Sequence, residues 1–226
     1  MPERIYFRQL LSGRDFARDD QLAAQMVNFT YLIGDRATGE ALVVDPAYAV
    51  EEIVAAASAD GMRLVGVLAT HHHPDHVGGS MMGYEIEGLG RLMEVVDVPV
   101  HVNRNEAEWV RRVTGVAATD LVSHEGGDVM SVGSVPIRIL HTPGHTPGSQ
   151  CFLVEDSMLV AGDTLFLEGC GRTDLPGSDP RAMQESLRLL ASLPDEIALF
   201  PGHRYSPPSS ATMGAVKEMN SVLQAS

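Results

Sequence analysis

The sequence predicts an α/β protein: a packed pair of sheets with helices on both outer faces. Three observations carry that expectation. Short apolar runs bounded by turn residues alternate with stretches whose apolar spacing is near 3.6. Each half of the chain gives several strands and then helices. A cluster of histidines follows a continuous apolar run, at the carboxyl end of a buried strand, where open α/β sheets place their sites.

In chain order, Ile5–Leu11 and Met26–Ile33 read as strands, and Ala41–Asp45 as a short buried strand closed by Pro46. Val50–Ala59 is Ala-rich with helical spacing and ends near Gly61. Leu64–Ala69 is the buried strand before the histidines. Gly78–Gly90 is rich in glycine and methionine and has no period, and Leu89–Val96 reads as a short helix. Val98–Val102 is a strand, followed by a helix over Asn103–Val113 with Asn103 as its N-cap. Asp128–Val132, Val135–His141, Ser149–Val154 and Met158–Ala161 are strands. Asp179–Leu193 is a helix with Asp179 as N-cap and Pro180 in its first turn. Ile197–Phe200 is a strand, and the turn Ser206–Ser210 leads into a last helix near Thr212–Leu223. No long linker interrupts the 226 residues, so a single domain over 1–226 is expected.

Composition excludes several functions. Lys and Arg number 16 against 30 Asp and Glu, a net charge of −14, which argues against nucleic acid or an anionic membrane as partner. Two cysteines, Cys151 and Cys170, cannot build a disulfide framework or a cysteine-based zinc site. No apolar run reaches 18 residues and the first residues lack a signal-peptide pattern, so a cytoplasmic setting is the default.

The chemistry lies in Thr70-His71-His72-His73-Pro74-Asp75-His76, where four imidazoles and a carboxylate fall within six positions. Neutral imidazole and carboxylate suit zinc, iron and similar ions. In an extended segment His71 and His73 point to one side and can chelate one ion. His72 points to the other side and packs or supports the ligands from outside. Pro74 forces a bend that turns Asp75 and His76 towards a neighbouring ion. Further donors stand at the ends of expected strands: His145, Asp163 and His203, each after a glycine that permits close approach.

This pattern resembles the metallo-β-lactamase-fold hydrolases, whose HxHxDH motif is matched by residues 71–76. The resemblance runs from Asn28 to about Tyr205 and implies a four-layer αβ/βα sandwich. It implies two metal ions: one held by His71, His73 and His145, the second by Asp75, His76 and His203, with Asp163 bridging. Within the superfamily, Gly162-Asp163-Thr164-Leu165-Phe166, Gly169-Cys170-Gly171-Arg172 and Gly202-His203-Arg204-Tyr205 are similar to glyoxalase II (hydroxyacylglutathione hydrolase) and its shorter relatives. The stretch Gly171-Arg172-Thr173-Asp174 is also similar to persulfide dioxygenases. The helical domain of the larger glyoxalase II form is not expected in the residues that follow Tyr205.

The resemblance implies a metal-dependent hydrolase of small-molecule thioesters such as an acyl-glutathione. Zinc is the first choice of metal, with iron and manganese also suited to these donors. Two cations would lower the pKa of a shared water towards neutrality, and the resulting hydroxide would attack the acyl carbonyl. Asp75 is the expected catalytic residue, binding metal and orienting the nucleophile. Arg172 is a candidate anchor for a substrate carboxylate or else a surface ion pair. Tyr205 is a candidate partner of the acyl oxygen or else a loop cap. Cys170 reads as a small buried residue, and Met81, Met82, Tyr84 and Trp109 read as core or, for the first three, as walls of an entrance. The alternative is a mononuclear iron persulfide dioxygenase using His71, His145 and Asp163; a lactonase or β-lactamase ranks below both. A homo-oligomer stays open.

Overall fold

The computed structural model describes residues 4–224. The chain divides into two compact units, one formed mainly by residues up to Val102 with Ala107–Ser123 and Ser131–Val135, the other mainly by Pro136 onward.

The first unit contains β1 (Ile5–Leu11), α1 (Gln21–Met26), β2 (Phe29–Asp35), β3 (Glu40–Val44), α2 (Val50–Ala59), β4 (Arg63–Leu68), α3 (Pro74–Val77), β5 (Gly79–Met81), β6 (Tyr84–Ile86), α4 (Leu89–Val95), β7 (Val100–Asn103), α5 (Ala107–Thr114) and β8 (Leu121–His124). Its main sheet has the order β1-β2-β3-β4-β7-β8. The pairs β1–β2 and β2–β3 are antiparallel, whereas β3–β4 and β4–β7 are parallel. A parallel pair needs a crossover, and the Ala-rich α2 supplies it between β3 and β4. It buries Val50, Ile53 and Ala57, spaced along one helical face, against the sheet. Burying a side chain such as Ile53 contributes about 1.5–3 kcal/mol.

The parallel register matters most for the site. Val44 pairs with Leu68, so the residues that leave the carboxyl ends of β3 and β4 lie side by side. Asp45 leaves β3 there, and its N–H donates to the Leu68 carbonyl at 3.1 Å. Thr70 leaves β4 on the neighbouring path and leads directly into the histidine run.

The second unit contains β9 (Val129–Val132), β10 (Val135–His141), β11 (Gln150–Val154), β12 (Met158–Gly162), α6 (Pro180–Ala191), β13 (Ala198–Pro201), β14 (Ala211–Thr212), α7 (Met213–Met219) and α8 (Ser221–Gln224). Its sheet runs β14-β13-β12-β11-β10-β9. The pairs β10–β11 and β11–β12 are antiparallel; β12–β13 is parallel, with α6 as crossover. Asp179 caps α6 as expected, accepting from the N–H groups of Arg181 at 2.8 Å and Ala182 at 3.2 Å. Met183, Leu187 and Leu190 of α6 pack into this unit's core.

Four local expectations change. The strand expected from Met26 begins at Phe29, because Asp20 caps a short helix that Met26 ends. Asn103 does not cap a helix; it ends β7, and its Oδ1 accepts from Asn105 N at 3.0 Å in a local turn, so the helix starts at Ala107. The segment without a period holds the β5–β6 hairpin, turned by Met82 and Gly83 with φ of 52° and 84°. The last helix breaks at Asn220, whose side chain donates to the carbonyls of Phe166 and Gly169 at 3.1 and 2.9 Å.

Candidate metal centre

The histidine run of the first unit follows β4 in extended form and then turns. His73 is the N-cap of α3 and Pro74 opens it, which carries Asp75 and His76 back into the protein. His71 and His76 are each 1% exposed, Asp75 is buried and His73 is half-buried. The rings of His71 and His73 are 4.7 Å apart and those of His71 and His76 4.2 Å. His71 and His73 therefore converge as the alternation predicts.

Hydrogen bonds fix which nitrogen each ring presents. Thr70 Oγ1 donates to Asp45 Oδ2 at 2.6 Å. Its proton being committed there, the hydroxyl accepts from His71 Nδ1, 2.9 Å away. His76 Nδ1 donates to Asp45 Oδ2 at 2.9 Å. Both rings thus carry their lone pair on Nε2, the form that ligates a metal. His71 Nε2 and His73 Nδ1 stand 3.1 Å apart. Two nitrogens about 2.0–2.1 Å from a tetrahedral zinc would stand roughly 3.3 Å apart, so this spacing fits a shared ion.

Asp45 anchors this half of the site and was not singled out in the sequence. Its ligand atoms lie within 4.8 Å of those of His71 and His76. However, its oxygens already accept from Thr70 N at 2.8 Å, from Thr70 Oγ1 and from His76, so it orients ligands rather than serving as one. Its φ of 51° is left-handed, a conformation aspartate tolerates better than most residues, at a cost of about 1–2 kcal/mol. The signal in the sequence was a carboxylate at the end of a buried apolar run, beside a proline. Asn28 and Tyr48 join it without a signal in the sequence. Asn28 Nδ2 donates to Asp75 Oδ2 at 3.1 Å, and Tyr48 Oη donates to Asn28 Oδ1 at 3.2 Å.

The second unit holds the other donors. His145 and His203 are buried, and the Asp163 side chain is 10% exposed. Asp163 Oδ2 lies 3.3 Å from His203 Nε2 and 3.7 Å from His145 Nε2. His145 Nδ1 donates to the Arg172 carbonyl at 2.8 Å, which again leaves Nε2 as the presented nitrogen. Close approach here demands glycine. A Cβ on Gly202 would fall 2.3 Å from Asp163 Oδ1, and one on Gly171 only 2.0 Å from the Asp163 carbonyl oxygen. The loop of His145 is tied down by buried Glu106, whose Oε2 accepts from Gly148 N at 2.7 Å.

The expected substrate residues are exposed. Arg172 is paired with Asp174 at 2.9 and 3.0 Å, both side chains lying in solvent. An exposed pair of this kind is worth about 0–1 kcal/mol, so it yields readily to another carboxylate. Tyr205 is 58% exposed and stacks on His203, rings 4.8 Å apart and 6° from parallel, with Phe166 edge-on to both. Met82 and Tyr84 are exposed at the hairpin rather than core. Burial pushes the Cys151 thiol up to about 11 and raises that of half-buried Cys170, so neither is primed as a nucleophile.

Three buried or half-buried imidazoles and a carboxylate in one unit, and two imidazoles and a carboxylate in the other, suit a divalent metal by donor chemistry and by tautomer. Relatives agree. A hydroxyacylglutathione hydrolase from Rhodospirillum rubrum is 35% identical over 211 residues, covering 91% of this chain and 73% of that one. The structure of ETHE1 from Myxococcus xanthus matches with a TM-score of 0.75 at 29% identity, over 96% of this chain and 83% of that one. TTHA1623 in a di-iron-bound form matches with a TM-score of 0.68 at 30% identity, over 87% and 95% of the two chains. The family model for the Metallo-beta-lactamase superfamily matches residues 25–203, and the chain belongs to that superfamily and has its α/β fold.

Proposed function

We propose that this chain is a metal-dependent hydrolase that cleaves a thioester such as an acyl-glutathione. The observation that carries the reading is the tautomer control around Asp45: His71 and His76 are buried with Nδ1 spent on protein oxygens, which leaves the lone pair that can ligate a metal on Nε2. The identity to hydroxyacylglutathione hydrolases supports the choice of substrate class. His71, His73 and His145 would hold one ion and Asp75, His76 and His203 the other, with Asp163 as a carboxylate available to both. Two divalent cations, zinc first, would supply a water of lowered pKa and polarise the acyl carbonyl.

The chain's own residues do the rest. Asn28, itself held by Tyr48, fixes Asp75 Oδ2, so the Asp75 carboxylate keeps one orientation towards the attacking water. The thiolate that leaves a thioester needs little proton assistance, so no separate acid is required. Arg172 exchanges Asp174 for a substrate carboxylate, and Tyr205 offers its hydroxyl to the acyl group. Among the described residues no helix is long and apolar enough to cross a membrane.

A second reading, a mononuclear iron persulfide dioxygenase using His71, His145 and Asp163, draws support from Gly171-Arg172-Thr173-Asp174 and from the likeness to ETHE1. One experiment separates the two. Metal content is measured on protein purified without added metal, and the protein is then assayed with S-lactoylglutathione and with glutathione persulfide. About two ions per chain with thioester cleavage support the hydrolase. One iron with oxygen uptake and no thioester cleavage overturns it.

A further inference from the structure

The chain has one tryptophan, and it does not sit in the core. Trp109 is half-buried on α5 and stacks on His72, ring centroids 5.0 Å apart and planes 21° from parallel. The Arg112 guanidinium lies over the same indole, 5.9 Å from its centroid. His72 in turn meets the His73 ring edge-on at 5.0 Å, and His73 Nδ1 is 3.1 Å from His71 Nε2. A line of ring contacts therefore runs from α5 to the two converging nitrogens. The same helix braces the segment further along. Gly79 lies so close to Val113 of α5 that an added Cβ would fall 2.7 Å from Val113 Cγ1.

The geometry has a direct consequence. In extended backbone, neighbouring side chains point to opposite sides, so the direction of His72 sets the direction of His71 and His73. Whatever fixes the His72 ring fixes the site-facing side of the segment. Aromatic stacking is a directional contact that a flexible aliphatic side chain cannot reproduce.

We propose that Trp109 is a positioning residue for the metal ligands His71 and His73, acting through the ring of His72. The inference rests on the metal reading above, and adds a residue from another element that sets how tightly the metal is held. Groups that orient metal ligands typically change affinity by about 10–100-fold when removed.

The test follows Zn²⁺ binding to metal-free protein by competition with a chromophoric chelator, together with indole emission and thermal melting. All indole emission comes from this stack, so in the wild-type chain it changes with the same midpoint as Zn²⁺ binding. Trp109→Phe keeps a stacking ring and retains affinity within about threefold, whereas Trp109→Leu loses about tenfold or more. If Trp109→Leu does not fold, His72→Ala, which removes the other ring of the stack, reads the same loss. Wild-type affinity in Trp109→Leu or His72→Ala, or failure of Trp109→Phe to retain affinity, overturns the role of Trp109 while leaving the metal reading intact. A wild-type chain that binds no Zn²⁺ overturns the metal reading and this inference with it.

Discussion

Asp45→Asn changes a single atom, and its effect can be worked out bond by bond. The carboxylate receives three donors: Thr70 N–H on Oδ1, and Thr70 Oγ1–H and His76 Nδ1–H on Oδ2. An asparagine has one acceptor oxygen to offer in their place. If that oxygen stays on Thr70 N–H, the amide NH₂ faces Thr70 Oγ1 and His76 Nδ1, and both must accept. Thr70 then donates to His71 Nδ1, and His71 and His76 each move their proton to Nε2, the nitrogen that should bind metal. If the amide flips, its NH₂ opposes the Thr70 backbone N–H and leaves a buried donor without an acceptor, at about 1–3 kcal/mol.

The metal-free protein can take the first arrangement, with the His76 Nε2–H turned to Asp75 Oδ2, 3.6 Å away, in place of the contact with Asn28 Nδ2 at 3.3 Å. Metal binding requires the second, so the loss falls on affinity: about 1–3 kcal/mol, roughly 5–150-fold. Asparagine accepts the left-handed backbone that Asp45 adopts, so strain does not confound the comparison. The assay is Zn²⁺ competition with a chelator, run beside thermal melts of the metal-free form. The expected result is a metal-free melting temperature close to wild type and a clearly weakened affinity. Wild-type affinity, or a metal-free form destabilised as much as the metal-bound one, would refute the tautomer argument.

Three further outcomes are expected. Tyr6 Oη donates to Asp60 Oδ2 at 2.7 Å, and burial, then that bond, raises its pKa from 10.0 to about 12. Because the folded value lies above the unfolded one, this contribution is full below about pH 10 and lost as pH climbs towards 12. Wild type should therefore lose stability faster than Tyr6→Phe across that window, and parallel curves would count against it. At pH 8 a thiol reagent should label Cys170 slowly and Cys151 not at all until the protein is denatured; rapid reaction of both in the native state would contradict the burial argument. Arg172→Ala should raise KM for a carboxylate-bearing thioester about 5–10-fold with kcat within about twofold, since the carbonyl that orients His145 belongs to the backbone and survives. A fall in kcat at unchanged KM would remove Arg172 from the substrate site.

What could be read from the sequence follows the range of the interactions concerned. The histidine run was legible because its donors are contiguous and their chemistry is specific, and α6 because Asp179-Pro180 is a local cap signal. Asn103 misled because an asparagine side chain closes a turn as readily as it caps a helix. Asp45, Asn28 and Tyr48 were hidden for a different reason. Asp45 meets Thr70 only because β3 and β4 pair with Val44 opposite Leu68, and Asn28 reaches Asp75 across 47 positions. No periodicity or spacing within one segment encodes a partner that a parallel register delivers. Trp109 illustrates the same limit: composition favours the core for a tryptophan, while the contact with His72 depends on where α5 lies along the ligand segment.

The two units reach the same end by different means. In the first, a carboxylate reached through a strand register fixes Nδ1 of His76 directly and that of His71 through Thr70. In the second, a backbone carbonyl fixes Nδ1 of His145, and it can do so because glycine at 171 lets that loop close on the ring. In each case the outward nitrogen is satisfied by an oxygen that can only accept or whose proton is already committed. A ring held in this way need not rotate or change tautomer when a cation arrives, so little binding energy is lost to reorganisation. The donors of a metal site are readily copied by chance in a polar loop. The oxygens behind them are not, and they give this cluster its meaning.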